Sequence, residues 1–222
     1  MIGIKCKLDA TTLDMLAIKG CKLCEYIENP NFGYIDTKWD LWDYNNNAGK
    51  DNVKISVVGA FTQQGIGEQK LCEVAGGNTG SINAFAILRS RDEQYSFWDQ
   101  NHYNCGPVVI GKIIEGVLIA KDGVRTGCYI IDGKEYTHTY TAQVLAPNMA
   151  TLTLFRGSNS YPKFSSGRIY SCQITENNVL VRDLVPCYKT ATQEYGMFDR
   201  INKTFYGSVN SNKFTGKLMG GQ

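Results

Sequence analysis

The chain has 222 residues, 43% of them hydrophobic and 20% charged, with a formal net charge of +2. That balance describes a globular protein, not a disordered one, and a chain this long buries roughly 70% of its unfolded surface without disulfide staples. Lys and Arg never cluster beyond pairs, which argues against nucleic acid as the main partner, and no apolar run approaches the roughly 20 residues of a membrane span.

Residues 1–24, MIGIKCKLDATTLDMLAIKGCKLC, carry Lys and Asp throughout and lack the apolar centre of a secretory signal. The expectation is a protein made in a reducing cytoplasm. Its cysteines, Cys6, Cys21, Cys24, Cys72, Cys105, Cys128, Cys172 and Cys187, then read mostly as buried thiols, since Cys packs as a small hydrophobe. Ile2, Ile4, Cys6 and Leu8 alternate with Gly3, Lys5 and Lys7, a short strand with one apolar face. Asp9 or Thr11 can cap a helical turn ahead of Leu13, Leu16 and Ile18. This segment either adds a strand to the domain's own sheet or forms an arm. As an arm it would dock the protein on a larger assembly through Ile2, Ile4, Leu8, Leu13 and Leu16. Cys21-Lys22-Leu23-Cys24 is a CxxC, but a zinc site needs four ligands, usually from a second close pair. The other cysteines stand alone, His102 and His138 lack ligand spacing, and a thioredoxin-like motif needs a βαβ setting. No metal or cofactor is expected.

Trp39, Trp42 and Tyr44 follow among Asp40 and Asp43, and Asn45–Gly49 is a turn. Val53, Ile55 and Val57 alternate with Lys54 and Ser56, a half-buried strand. Residues 62–83, rich in Gly, Gln and Asn, read as a long surface loop. Phe85–Leu88 and Tyr95–Trp98 are strands joined by the charged turn Arg89–Glu93; Val108–Ile110 and Ile113–Ile119 are the next two. Cys128–Ile131 meets Glu135–Tyr140 across Asp132-Gly133, a hairpin signal because a type I′ turn needs two positive φ values. Asp122-Gly123 is likewise a turn and not a calcium ligand set. Thr151–Phe155 alternates again. In Gly167–Tyr206, Tyr170, Cys172 and Ile174 share a face, and Glu176-Asn177-Asn178 turns the chain into Val179–Val181. Arg182 and Asp183 read as a partly buried ion pair. Pro186 should end this strand or mark an edge. So many short strands with one face to hide imply an all-β fold of two packed antiparallel sheets.

Three stretches carry a resemblance. The order I-Y-S-C-x-I, turn, L-V-R-D-L-V-P-C, then G-M-F-D-R-I-N-K-T-F-Y-G over residues 169–207 resembles the C-terminal part of laminin-G-like, concanavalin-A-like jelly-roll domains. Glu25–Thr37 looks like their first strand, and Ala84–Arg89 with Tyr95–Trp98 like a later pair. The resemblance runs in pieces over residues 25–219 and implies one jelly-roll β-sandwich over 25–222, with Asp199–Lys203 as the turn before the closing strand Thr204–Tyr206. Such domains are common in bacteriophage virion proteins and in adhesins of gut bacteria. The resemblance therefore implies a non-enzymatic virion component: a capsid-decorating, head-fibre or tail-fibre protein, made in the host cytoplasm and released by lysis. Its implied partners are other virion proteins, a host surface glycan and further copies of itself. A secreted adhesin or lectin is the first alternative, a glycan hydrolase the second.

Glucanases of this fold carry two carboxylates spaced E-x-D-x-x-E, which this chain lacks; Glu25/Glu28 and Asp92/Glu93 do not fit. No nucleophile motif surrounds any Ser or Cys either, so no catalytic residue is assigned. Sugar binding needs aromatic faces with amide or carboxylate groups beside them. Trp98, Asp99, Asn101, His102 and Tyr103 supply both within one stretch, and Trp39 and Trp42 are further candidates; the competing reading places these rings in the core.

Overall fold

The computed structural model describes residues 20–30, 32–46, 48–63, 68–76, 83–90, 92, 94–99, 101–141, 151–156 and 166–220, with backbone alone at 75, 76, 83–85, 98, 99, 101, 102, 140 and 141. The strands are β1 (Cys21–Asn29), β2 (Ile35–Asp36), β3 (Trp42–Asp43), β4 (Ala48–Gly49), β5 (Val53–Phe61) and β6 (Gln69–Gly76). Then come β7 (Asn83–Arg89), β8 (Gln94–Asp99), β9 (Asn101–Pro107), β10 (Ile114–Lys121), β11 (Val124–Ile131) and β12 (Lys134–Thr141). The last are β13 (Thr153–Leu154), β14 (Gly167–Glu176), β15 (Val179–Lys189), β16 (Glu194–Asp199), β17 (Thr204–Tyr206) and β18 (Thr215–Leu218). A large sheet runs β12-β11-β10-β5-β14-β1-β15-β16-β17, with β18 beside β1; a small sheet runs β2-β13-β6-β7-β8-β9. Both are antiparallel throughout and pack face to face, the two-sheet sandwich that the alternation implied and the all-β jelly roll that the resemblance implied.

Turn chemistry sets the hairpins. Asp122-Gly123 and Asp132-Gly133 take positive φ at both positions (52° and 71°, 53° and 77°), joining β10 to β11 and β11 to β12. Asn177 and Asn178, at 50° and 63°, do the same between β14 and β15.

Between the sheets, Ile55, Val57, Leu118, Ile169 and Cys172 of the large sheet meet Leu71, Cys72, Val74, Ile87 and Phe97 of the small one. Two glycines make this approach possible. A Cβ on Gly127 would lie 2.4 Å from the Phe97 ring, and one on Gly116 would lie 2.6 Å from Ile87. Tyr129, fully buried, stands opposite Gly116 in register and two residues from Gly127; it stacks on Phe97 at 4.5 Å and meets Tyr95 at 5.4 Å. Its hydroxyl crosses the core to lie 2.8 Å from the Leu88 carbonyl oxygen and 2.9 Å from that of Ser96. Burial holds that phenol well above its usual pKa, so it remains a donor.

Several expectations need correction. Residues 62–83 are not one long loop, because β6 lies within them and pairs with β7 and β13. Val108–Ile110 is not a strand; the polar run Asn101–Pro107 is, pairing with β8. Pro186 does not end its strand, since β15 continues to Lys189. It is tolerated because β14 pairs with β15 only to Leu184 and β1 only from Cys187, so the missing N–H falls in the gap. β1 begins at Cys21, so the last four residues of the segment read as an arm belong to the sandwich; residues 1–19, with Ile2, Ile4, Leu8, Leu13 and Leu16, lie outside the described residues.

Arg182 and Asp183 do not pair with each other, as neighbours on a strand point to opposite faces. The pairs are crossed: Arg200 NH2 lies 2.5 Å from Asp183 Oδ2, and Arg182 Nε lies 3.5 Å from Asp199 Oδ2. Asp199, fully buried, also accepts from the backbone N–H of Asp183 (3.1 Å) and of Ile201 (2.9 Å) and from the Asn202 amide (2.8 Å). One carboxylate thus fixes the β16–β17 turn against β15.

Gly127→Ala is expected to cost about 1–3 kcal/mol of stability by forcing the Phe97 ring away, and Tyr129→Phe about 1 kcal/mol by deleting the cross-sheet hydrogen bond. Urea unfolding monitored by tryptophan fluorescence measures both.

Candidate functional site

β9 ends the small sheet and β12 ends the large one among the described residues. Where these two strands face each other, a cleft of about 450 Å³ opens, lined by Tyr103, Asn104 and Cys105 from β9 and Tyr136, Thr137 and His138 from β12. Alternation explains the lining. Tyr103 and Cys105, like Tyr136 two residues from His138, lean toward the core, while Asn104 and Thr137 stand at the rim.

The Tyr103 and His138 rings stack at 4.0 Å with 23° between their planes, bridging the two sheets. The Lys134 ammonium sits 4.8 Å from the centre of the Tyr136 ring. The Thr137 hydroxyl donates to Glu135 Oε1 at 2.7 Å. That bond, with one from the Cys128 thiol, holds the Glu135 carboxyl below its usual range. Cys105 donates its thiol to the Tyr103 carbonyl oxygen at 3.6 Å. Burial, then the neighbouring Cys128, pushes its pKa up to about 12. A thiol that stays protonated is not a nucleophile. The cleft therefore offers aromatic faces, an imidazole, an amide and hydroxyls.

Of the residues expected to bind ligand, Tyr103 lies in this cleft. Register pairs Trp98 with His102 and Asp99 with Asn101 across the β8–β9 hairpin that leads into it; the side chains of these four lie outside the described residues. Trp39 and Trp42 do not face solvent, at 3% and 5% exposure. Trp39 packs in the main core and donates its indole N–H to Glu176 Oε1 at 2.5 Å, which the Lys50 ammonium also reaches at 3.0 Å. Both rings are architecture. His138 and Tyr136 carry no mark in the sequence, since only the meeting of two distant edge strands brings them to Tyr103.

A second polar group was hidden by reading 62–83 as loop. Glu68, Lys70 and Glu73 are buried together; the Lys70 ammonium bonds Glu73 Oε1 and lies 3.3 Å from Glu68 Oε1. A β-bulge between Lys70 and Cys72 brings Glu73 round to the face that Lys70 occupies. Their spacing, Glu68-x-Lys70-x-x-Glu73, is that of E-x-D-x-x-E with lysine at the central place.

The CxxC is likewise absorbed by packing. Cys21 sits in a small apolar cluster with Leu23, Val185, Cys187 and Phe198, and burial followed by Cys21's own proximity pushes the Cys24 thiol up to about 12. Among the described residues no group of three His, Cys, Asp or Glu side chains is placed to share an ion.

No protein-family model matches this chain, and no curated protein matches it. Among solved structures, the enzymatically active domain of tailspike protein 2 from bacteriophage CBA120 is similar over 68% of this chain and 25% of its own, with a TM-score of 0.50 at 13% identity. Full-length tailspike protein 2 of an Escherichia coli O157:H7 bacteriophage gives the same score and identity over 68% of this chain and 22% of its own. Scytalido-glutamic peptidase aligns over 88% of this chain and 99% of its own, with a TM-score of 0.43 at 13% identity. The chain thus spans about a quarter of the tailspike chains that it matches. At such identity the tailspike likeness is one of fold.

Native protein treated with iodoacetamide at pH 8 should label Cys24 and Cys105 about a thousandfold more slowly than unfolded protein, as a pKa near 12 leaves almost no thiolate. Peptide mass spectrometry reads this directly, and rapid labelling of Cys105 would show a thiolate in the cleft.

Proposed function

We propose that the chain is a non-enzymatic component of a bacteriophage particle that presents a glycan-binding sandwich, with the β9–β12 cleft as its contact site. The observation that carries this reading is the Tyr103–His138 stack with Asn104 and Thr137 at its rim. Aromatic faces match the apolar face of a pyranose, and the amide and hydroxyl groups match its hydroxyls. The fold likeness to a phage tailspike supports the setting. Trp98, Asp99, Asn101 and His102 extend the site along the β8–β9 hairpin. Residues 1–19, with Ile2, Ile4, Leu8, Leu13 and Leu16 as apolar anchors, hold the sandwich on the particle.

A second reading, hydrolysis of a glycan on the small sheet, has one observation in its favour: Glu68 and Glu73 stand close enough to share one ammonium, and retaining glycosidases place their carboxyl groups about 5 Å apart. Against it, Lys70 occupies the space between them and all three are buried. Release of reducing sugar from a polysaccharide panel would favour hydrolysis.

Wild-type protein should bind a subset of bacterial surface glycans on an array. Tyr103→Leu and Asn104→Ala should each weaken the best hit about tenfold by calorimetry, and the change at the exposed Asn104 should leave the unfolding midpoint nearly unchanged. Equal affinity of the variants would move the site elsewhere. Deleting residues 1–19, which stops short of β1, should leave a folded sandwich that no longer joins particles; normal incorporation would remove the arm's role.

A further inference from the structure

The loop joining β9 to β10 presents three apolar side chains to solvent: Val109 is 56% exposed, Ile110 38% and Ile113 41%. Single exposed apolar residues are ordinary, whereas three within one short loop make a patch. This loop is also rigidly held. The Tyr95 hydroxyl accepts from the Val109 N–H at 3.2 Å and lies 3.3 Å from the Val109 carbonyl oxygen, to which it donates. The Gly111 N–H donates to the Phe61 carbonyl at 2.7 Å, and the Lys112 N–H to that of Val109 at 3.1 Å. The Lys112 ammonium then ties the loop to Asp132 Oδ1, 2.5 Å away on the β11–β12 turn. A segment fixed at so many points loses little conformational entropy on docking.

Beside the patch stand two opposite charges, Lys112 and Asp132, with side chains 34% and 71% exposed. An apolar centre flanked by a neighbouring cation and anion is complementary to itself. In a two-fold contact the apolar centres meet, and each ammonium faces the other copy's carboxylate. We propose that Val109, Ile110 and Ile113 form the centre of a contact between two copies of this chain, with Lys112 and Asp132 pairing across it. β9 ends at Pro107 and β12 starts at Lys134, so the contact lies at one end of the cleft. If the cleft binds glycan, as proposed above, the dimer sets two sites side by side and each strengthens the other's hold.

Sedimentation velocity of the full chain across about 1–100 µM tests the contact itself. Wild type is expected to sediment as a species of twice the 24.7 kDa monomer mass. Ile110→Asp should be monomeric with an unchanged circular dichroism spectrum and melting curve. Lys112→Glu and Asp132→Lys should each weaken association by about tenfold or more, and the double exchange should restore it. A wild type that stays monomeric throughout, an Ile110→Asp variant that still dimerises, or a double exchange without rescue would each overturn the proposal. None of these outcomes depends on glycan binding, so the two readings fail separately.

Discussion

The two sheets can meet only because the large one has hollows where the small one has bulk. Phe97 occupies the place where Gly127 has no Cβ, and Ile87 does the same over Gly116. Tyr129, opposite Gly116 and two residues from Gly127, packs beside them and reaches the backbone of β7 and β8 with its hydroxyl. Interiors are packed as densely as organic crystals, so such an interlock sets one relative position of the layers. Everything at the open edge follows from it. β9 pairs with β8, which carries Phe97, and β12 pairs with β11, which carries Gly127 and Tyr129. The width of the cleft and the Tyr103–His138 stack are thus set one strand inward, in the core.

The opposite end is held by charge instead of shape. Asp199 accepts from two backbone N–H groups and an amide, with the Arg182 guanidinium as an ion-pair neighbour at 3.5 Å, while Asp183 takes Arg200 and the Gln173 amide. A buried carboxylate is costly unless its lone pairs are used, and here they are. Such a network adds little net stability over an apolar replacement, but a slip of one residue in β15 against β16 would break several of its bonds at once. Its contribution is register.

Much of the fold was legible because turn residues announce themselves. Asp132-Gly133, Asp122-Gly123 and Asn177-Asn178 need positive φ and have it, and the alternation of Val53–Val57 is the burial seen. In β14 Cys172 and Ile174 are buried as expected, but a bulge between Ile169 and Ser171 puts Ile169, not Tyr170, on their face. What escaped was polar strand. β6 begins Gln-Lys and follows Glu68, and β9 reads Asn-His-Tyr-Asn; composition marks both as loop, yet tertiary contacts bury or pair them. Pro186 misled because its tolerance depends on where neighbouring strands stop pairing. Arg182-Asp183 misled because adjacency in sequence is opposition on a strand. For the site, Tyr103 could be singled out by its polar and aromatic neighbours, but Tyr136 and His138 could not, as the nearness of β9 and β12 is a product of sandwich closure.

A sandwich whose two sheets each end, among the described residues, at a strand with a neighbour on one side carries a hazard of its own. The outer backbone of β12 has no described neighbour, and unsatisfied N–H and C=O rows invite polymerisation into fibres. The strand's make-up counters this: Lys134 and Glu135 stand at its start, and Thr137 and Thr139 keep its solvent face hydrated. The same openness that leaves room for a ligand thus demands a water-loving border, and a change of Glu135 or Thr139 to Val or Ile would trade solubility for stickiness.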